Sequence, residues 1–173
     1  MNRETALELF AQQQRTGFAD IAGTEGQAAI RLTDRLLNQI IATELQRSRA
    51  IREAQVRAMS GDRLSVRVAL ARPSFFPPLN IGVLIERQPA LPGSPVLVLK
   101  LTGAGGLTRF VGPAAAFLNL LPPGIRMTGD LVHVDVGALL QQRGLGFLLP
   151  HVDDLRVNTE EGAVRIGFRA RFR

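Results

Sequence analysis

The stretch Ala54-Gln-Val-Arg-Ala-Met-Ser-Gly-Asp-Arg-Leu-Ser-Val-Arg-Val-Ala-Leu70 sets the fold class of this chain. Ala54, Val56 and Ala58 alternate with Gln55 and Arg57, then Ser60-Gly61-Asp62 turns the chain. Leu64, Val66, Val68 and Leu70 alternate with Ser65, Arg67 and Ala69 on the return. A period of two places apolar side chains on one face, so the stretch reads as an antiparallel hairpin with one wet face. The C-terminus repeats the pattern: Leu155 and Val157, a Glu160-Glu161-Gly162 turn, then Val164, Ile166, Phe168, Ala170 and Phe172, with Arg165, Arg169, Arg171 and Arg173 opposite. A third copy runs from Ile125 and Met127 through Thr128-Gly129-Asp130 to Leu131–Val136. A recurring hairpin predicts an antiparallel meander.

The middle of the chain differs. In 81–87 and 96–101, Val83 and Ile85 stand against Leu84, and Val96 and Val98 against Leu97, Leu99 and Leu101. Strands apolar on both faces must be covered on both sides or must face an apolar ligand.

Three helices are expected around these strands, besides a short one over 3–15. Thr33 is a good N-cap, Asp34 suits the first turn, and Leu32 with Leu37 fits a hydrophobic staple. Leu36, Leu37, Ile40, Ile41 and Leu45 then form one apolar stripe. Gly112 and Pro113 suit the start of a second helix with Ala114, Phe117, Leu118 and Leu121 on its apolar face. A short third helix around Ala138–Gln142 is stopped by Gly144. Gly17, Gly23 and Gly26 mark 16–27 as a linker, so residues 1–26 are expected to be a helical arm and linker, and 27–173 one α+β domain.

Composition narrows the chemistry. The 173 residues include no Cys, which excludes disulfides, thiolate metal sites and cysteine nucleophiles. Nine Phe are the only aromatics, and twenty Arg accompany a single Lys, Lys100. The net charge of +6 divides into +3 over residues 1–72, none over 73–155 and +3 over 156–173. Two separated surpluses argue against a dense nucleic-acid patch, and the tail Phe residues lie on the apolar face rather than among the Arg as stacking platforms. No run approaches the roughly 18 apolar residues of a membrane span, and the N-terminus has no signal-peptide core; a trimmed secreted protein would look the same, so the location stays open, with the cytoplasm or the membrane periphery favoured.

Catalytic signatures are weak. Gly103-Ala-Gly105-Gly106 lacks the third glycine of a dinucleotide fingerprint, where Thr108 stands, and is followed by hairpins rather than βαβ units. On a strand the His133/Asp135 spacing puts both groups on one face, where they could supply two metal ligands, yet a solvated face explains them equally, and His151/Asp153 repeats the spacing in a loop. No nucleophile elbow is present. The expectation is a non-enzymatic protein with no metal or cofactor. Two loops, 72–79 with Phe75 and Phe76, and 145–150 with Phe147 and Leu148, are unusually apolar. They are read as a subunit interface, a membrane-touching tip or a lid over an apolar cavity, with packing back onto the core as the plain alternative.

From Leu32-Thr33-Asp34-Arg35-Leu36-Leu37-Asn38 onward, the order of elements resembles small bacterial members of the tubular lipid-binding (TULIP) superfamily. The likeness covers about 27–173 and rests on the helix start, the following hairpin, the two-faced apolar strands and the late second helix. It implies a strongly curved antiparallel sheet wrapped around a long amphipathic helix, with a second helix between the middle and C-terminal strands. Acyl chains would lie in the groove between helix and sheet. The aliphatic residues independently suit such a lining: Leu36, Ile40, Ile41, Val83, Ile85, Leu97, Leu99, Phe117, Leu118 and Leu121. Each buried methylene of an acyl chain contributes about 0.8 kcal/mol, and Arg at the mouth would hold an anionic headgroup. The expected partner is therefore a lipid or another long apolar molecule, with peripheral membrane contact. A structural module that self-associates through its apolar loops is the second reading, and an Arg-dependent nucleic-acid binder the third.

Overall fold

The computed structural model describes residues 22–46, 51–71, 77–102 and 123–172. Nine strands form two antiparallel sheets among these residues. The larger is built from β2 (Ile51–Met59), β3 (Arg63–Leu70), β4 (Leu79–Arg87), β5 (Val96–Thr102), β6 (Ile125–Thr128) and β7 (Leu131–Asp135), in the order β2-β3-β4-β5-β7-β6. The smaller has the order β1-β9-β8, from β1 (Glu25–Thr33), β8 (Val152–Glu160) and β9 (Ala163–Arg171). Helix α1 (Asp34–Leu45) follows β1, and α2 (Val136–Gln142) with a 3-10 turn (Gly146–His151) links β7 to β8.

The three hairpins read from alternation are β2–β3, β6–β7 and β8–β9. Their turns carry Gly61, Gly129 and Gly162 at φ of 80°, 62° and 76°, a region that only a residue without Cβ enters at little cost. Thr33 caps α1 as its chemistry predicts, its Oγ1 accepting the Leu36 N–H at 3.3 Å. The late short helix is α2, whose N-cap Asp135 accepts the Ala138 N–H at 2.9 Å. The arm over 3–15 and the helix around Ala114–Leu121 lie outside the described residues.

The expected sheet wrapped around a long helix is not the architecture. There are two sheets, and α1 has twelve residues, about 18 Å of helix. It runs along the edge of the larger sheet, for a reason that rests on two polar side chains. Asp34 Oδ1 accepts the Ala58 N–H at 2.9 Å. One turn later, Asn38 accepts the Val56 N–H at 2.7 Å and donates through Nδ2 to the Val56 carbonyl at 2.8 Å. One helical turn (about 5.4 Å) nearly matches the roughly 6.8 Å between alternate strand residues, so side chains four apart reach successive open groups of β2. The helix thus stands in for a neighbouring strand.

The second departure is β1. Glu25-Gly26-Gln27, read as the end of a linker, opens a strand in which Ala28, Ile30 and Leu32 alternate with Gln27, Ala29 and Arg31. It pairs with β9 from Glu25↔Arg171 to Thr33↔Ala163. A strand whose partner lies more than 120 residues away carries no local turn signal to announce it.

The smaller sheet is fastened across the ends of the larger. Thr159 in β8 donates its hydroxyl to the Met59 carbonyl (2.5 Å) and accepts the Arg63 N–H (2.8 Å), while its own N–H meets Asp62 Oδ1 at 3.1 Å. Gln88, just past β4, accepts the Val157 N–H at 2.9 Å and donates to the Val157 carbonyl at 2.7 Å. One primary amide therefore satisfies both backbone groups of one edge residue, as Asn38 does at Val56.

Candidate apolar binding face

Register builds the candidate site row by row. Across the larger sheet run Ala58–Leu64–Val83–Leu101, Val56–Val66–Ile81, Ile85–Leu99–Val132–Met127 and Leu97–Val134–Ile125. Every member is aliphatic or Met, and all point to one side because alternate strand residues share a face. Ala58, Val83, Ile85 and Leu97 are buried; the other members are half-buried. The opposite side is mostly polar, with rows such as Gln55–Arg67–Asn80. It also carries Val98, which at 2% is the most buried large side chain among the described residues. The middle strands thus bury side chains on both faces, Val83, Ile85 and Leu97 on one and Val98 on the other.

Of the residues expected to line a ligand site, Val83, Ile85, Leu97 and Leu99 come together on this face. Leu36, Ile40 and Ile41 do not join them, because α1 packs against β2 and β1 rather than over the sheet centre. Leu36 and Ile40 stand 41% and 48% exposed on the helix, while Ile41 is half-buried. Phe117, Leu118 and Leu121, and the loop residues Phe75 and Phe76, lie outside the described residues. Phe147 and Leu148 sit half-buried in the 3-10 turn, which packs on α2 and β8.

Two concave sites lie on wet surfaces. One of about 300 Å³ is walled by Val96, Arg126, Thr128, His133 and Asp135. Asp135 is already committed to capping α2, so the His133/Asp135 spacing serves the helix start. No group of three His, Asp or Glu among the described residues is placed to hold a metal ion. The other, about 410 Å³, lies over Gly167 on the polar side of the smaller sheet, between Gln27, Asp154, Arg156 and Arg169.

On that polar side part of the arginine tail is ion-paired. Arg31 pairs with Glu160, Arg156 with Asp154 at 3.3 Å, and Arg171 lies 2.6 Å from Glu25 and 3.7 Å from Asp153. Arg165 and Arg169 remain exposed with no ion pair among the described residues. The arginines of β8 and β9 are therefore partly paired, Arg156 and Arg171 with carboxylates and Arg165 and Arg169 open to solvent.

The hydrogen bond and charge of Arg31, with Arg165 nearby, hold the Glu160 carboxyl below the ordinary glutamate range. A lowered carboxyl pKa favours the ionised folded state. Its stabilising contribution is therefore present above the unfolded pKa and disappears as pH falls through the folded value. Both side chains are about half exposed, so the contribution is small. Arg31→Gln should move the Glu160 carboxyl back toward the ordinary range in an NMR titration. An unchanged midpoint would show that Arg31 is not the cause.

No family model matches the chain, and neither the curated proteins nor the solved structures contain a match. No helix of the described residues is long and apolar enough to cross a membrane.

Proposed function

We propose that the protein binds a lipid or another long apolar ligand, without catalysis, on the aliphatic face of the larger sheet. The observation that carries this reading is the unbroken set of aliphatic rows across all six strands, half-buried at Leu99, Leu101, Val132 and Ile81. An acyl chain needs a surface with few polar atoms, because leaving a polar group desolvated and unpaired costs about 1–3 kcal/mol. The rows offer none from side chains. Each methylene that leaves water for this face contributes about 0.8 kcal/mol, so a chain of ordinary length supplies enough for stable binding.

Native mass spectrometry of purified protein, with organic extraction and identification of the extract, tests the reading. The expected result is a lipid-sized adduct that survives gel filtration and is lost on extraction. Leu99→Glu places a charge in the row Ile85–Leu99–Val132 and should lower the bound fraction at least fivefold. Circular dichroism is the control for this variant, which should keep the sheet content of the wild type. A wild-type protein that carries no lipid and, once delipidated, takes up none from labelled vesicles would overturn the proposal.

A further inference from the structure

Three strand edges of the two sheets are closed or short. The β2 edge is met by Asp34, Asn38 and the Gly162 N–H, which donates to the Ala58 carbonyl at 3.0 Å. The β8 edge is met by Gln88 and Asp62. The outer strand β6 has four residues. Short strands and covered edges are the usual means by which a sheet avoids pairing with another chain.

β1 has none of these devices among the described residues. It is nine residues long, contains neither Pro nor Lys, and eight of its residues are exposed, Ile30 by 51%. Its register with β9 runs without a bulge, whereas β2–β3, β4–β5 and β8–β9 each carry one. Just before β1, Gly23 (φ 85°) and Thr24 both bond Phe172, the Gly23 N–H donating to its carbonyl at 2.7 Å and the Phe172 N–H to the Thr24 carbonyl at 3.0 Å; from Thr24 to Asp34, whose N–H meets the Gly162 carbonyl at 2.9 Å, even-numbered residues turn their backbone groups to β9. Glu25, Gln27, Ala29, Arg31 and Thr33 therefore present theirs on the open side.

We infer that β1 pairs antiparallel with β1 of a second copy about a two-fold axis at Ala29, joining the two smaller sheets into one continuous six-stranded sheet. The sequence of β1 is complementary to itself in that register. Ala28 faces the partner's Ile30 and Gly26 faces the partner's Leu32, so each large side chain lies beside a small one on the apolar side. On the polar side Gln27 faces the partner's Arg31, and Glu25 lies diagonal to the partner's Arg31 with opposite charge. An isologous contact of this kind closes as a dimer and leaves no further edge to propagate. The inference is independent of the ligand reading, which concerns the other sheet.

Light scattering over micromolar to near-millimolar protein should show a dimer. Ala29→Pro removes an outward N–H and leaves the β9 pairing intact, and should weaken dimerisation at least tenfold. Should that variant lose its sheet signal in circular dichroism, Ala29→Lys replaces it. This change keeps the backbone, sets two like charges opposite each other across the axis, and carries the same expected loss. The register itself is tested with cysteine, since the chain has none. Paired residues at the axis stand about 5.5 Å apart at Cα, within the roughly 4.4–6.8 Å of a disulfide. Ala29→Cys should therefore oxidise to a covalent dimer. Gln27→Cys mixed with Arg31→Cys should cross-link faster than either alone. A wild-type monomer throughout, a dimer unchanged by both Ala29 variants, or Ala29→Cys linking no faster than Gln141→Cys would each overturn the inference. So would β1 amides that gain exchange protection only when an unrelated extended peptide is added, which would give the edge to a different partner.

Discussion

Asn38→Leu is expected to lower the stability of this protein by about 3 kcal/mol, although the new residue is the better helix former. Asn38 makes three bonds: it accepts the Val56 N–H at 2.7 Å and donates to the carbonyls of Val56 at 2.8 Å and Asp34 at 2.7 Å. Leu has nearly the same shape and none of these partners. The substitution leaves one N–H and one C=O of β2 facing an apolar side chain at a part-buried position. Each such group costs about 1–3 kcal/mol when unsatisfied, while helix propensity returns only a few tenths. For a chain of this size, each kcal/mol moves Tm by about 2–4 °C, so the midpoint should fall by about 6–12 °C. Asn38→Asp keeps the acceptor for the Val56 N–H but sets an oxygen against its carbonyl, so it should fall between the two. The mutant should also associate more readily, because the β2 edge loses its cover. A Tm within about 1 °C of wild type would mean that water satisfies Val56 unaided, and that something else holds α1 to the edge.

That single side chain also marks where sequence reading stopped. The hairpins were legible because alternation and a Gly-containing turn are local, and because both strands of each lie within a dozen residues of the turn. The start of α1 was legible for the same reason: Thr33 caps it within one turn. The position of α1 was not. Its stripe of Leu36, Leu37, Ile40 and Ile41 suggests a helix buried at the centre of a curved sheet, and Asn38 lies off that stripe. The spacing of Asp34 and Asn38, four apart on one face, was the available signal. It becomes meaningful only once an unpaired strand edge is known to lie beside it. β1 was hidden differently, since Glu25-Gly-Gln-Ala-Ala has little β-propensity and borrows its order from β9. The candidate site was legible in part. Val83, Ile85, Leu97 and Leu99 were grouped correctly because the strand period assigns faces without any tertiary knowledge, whereas the helix residues depended on where the helix docked.

The same apolar face depends on a glycine on its reverse side, which leads to the second large effect. Gly82→Val should cost about 3 kcal/mol, and Gly82→Ala about half of that. Gly82 lies mid-strand in β4, opposite Thr102 of β5, with an ordinary extended backbone. A Cβ there would lie 2.7 Å from the Thr102 carbonyl oxygen and 3.3 Å from its carbon, in addition to the Thr102 hydroxyl. A hydroxyl can rotate away; a paired carbonyl cannot move without shifting the strand. Overpacking of this kind typically costs about 1–3 kcal/mol, and a β-branched side chain lies at the upper end. The strain falls next to Val83↔Leu101, so the row Ala58–Leu64–Val83–Leu101 opens at its β4–β5 step. Hydrogen exchange should therefore quicken at β4 and β5 amides while β8 and β9 keep their protection, because the smaller sheet is fastened at the opposite end of β4, through Gln88. Gly167→Ala, mid-strand in β9, is the control: nothing lies within 4 Å of its Cβ, so it should be neutral or slightly stabilising through the unfolded chain. Thr102→Ala should recover part of the Gly82→Ala loss by removing the hydroxyl, and no more than part, since the carbonyl remains. If Gly82→Ala and Gly167→Ala unfold at the same temperature, close approach is not what fixes glycine at position 82, and the β4–β5 step is looser than its geometry shows.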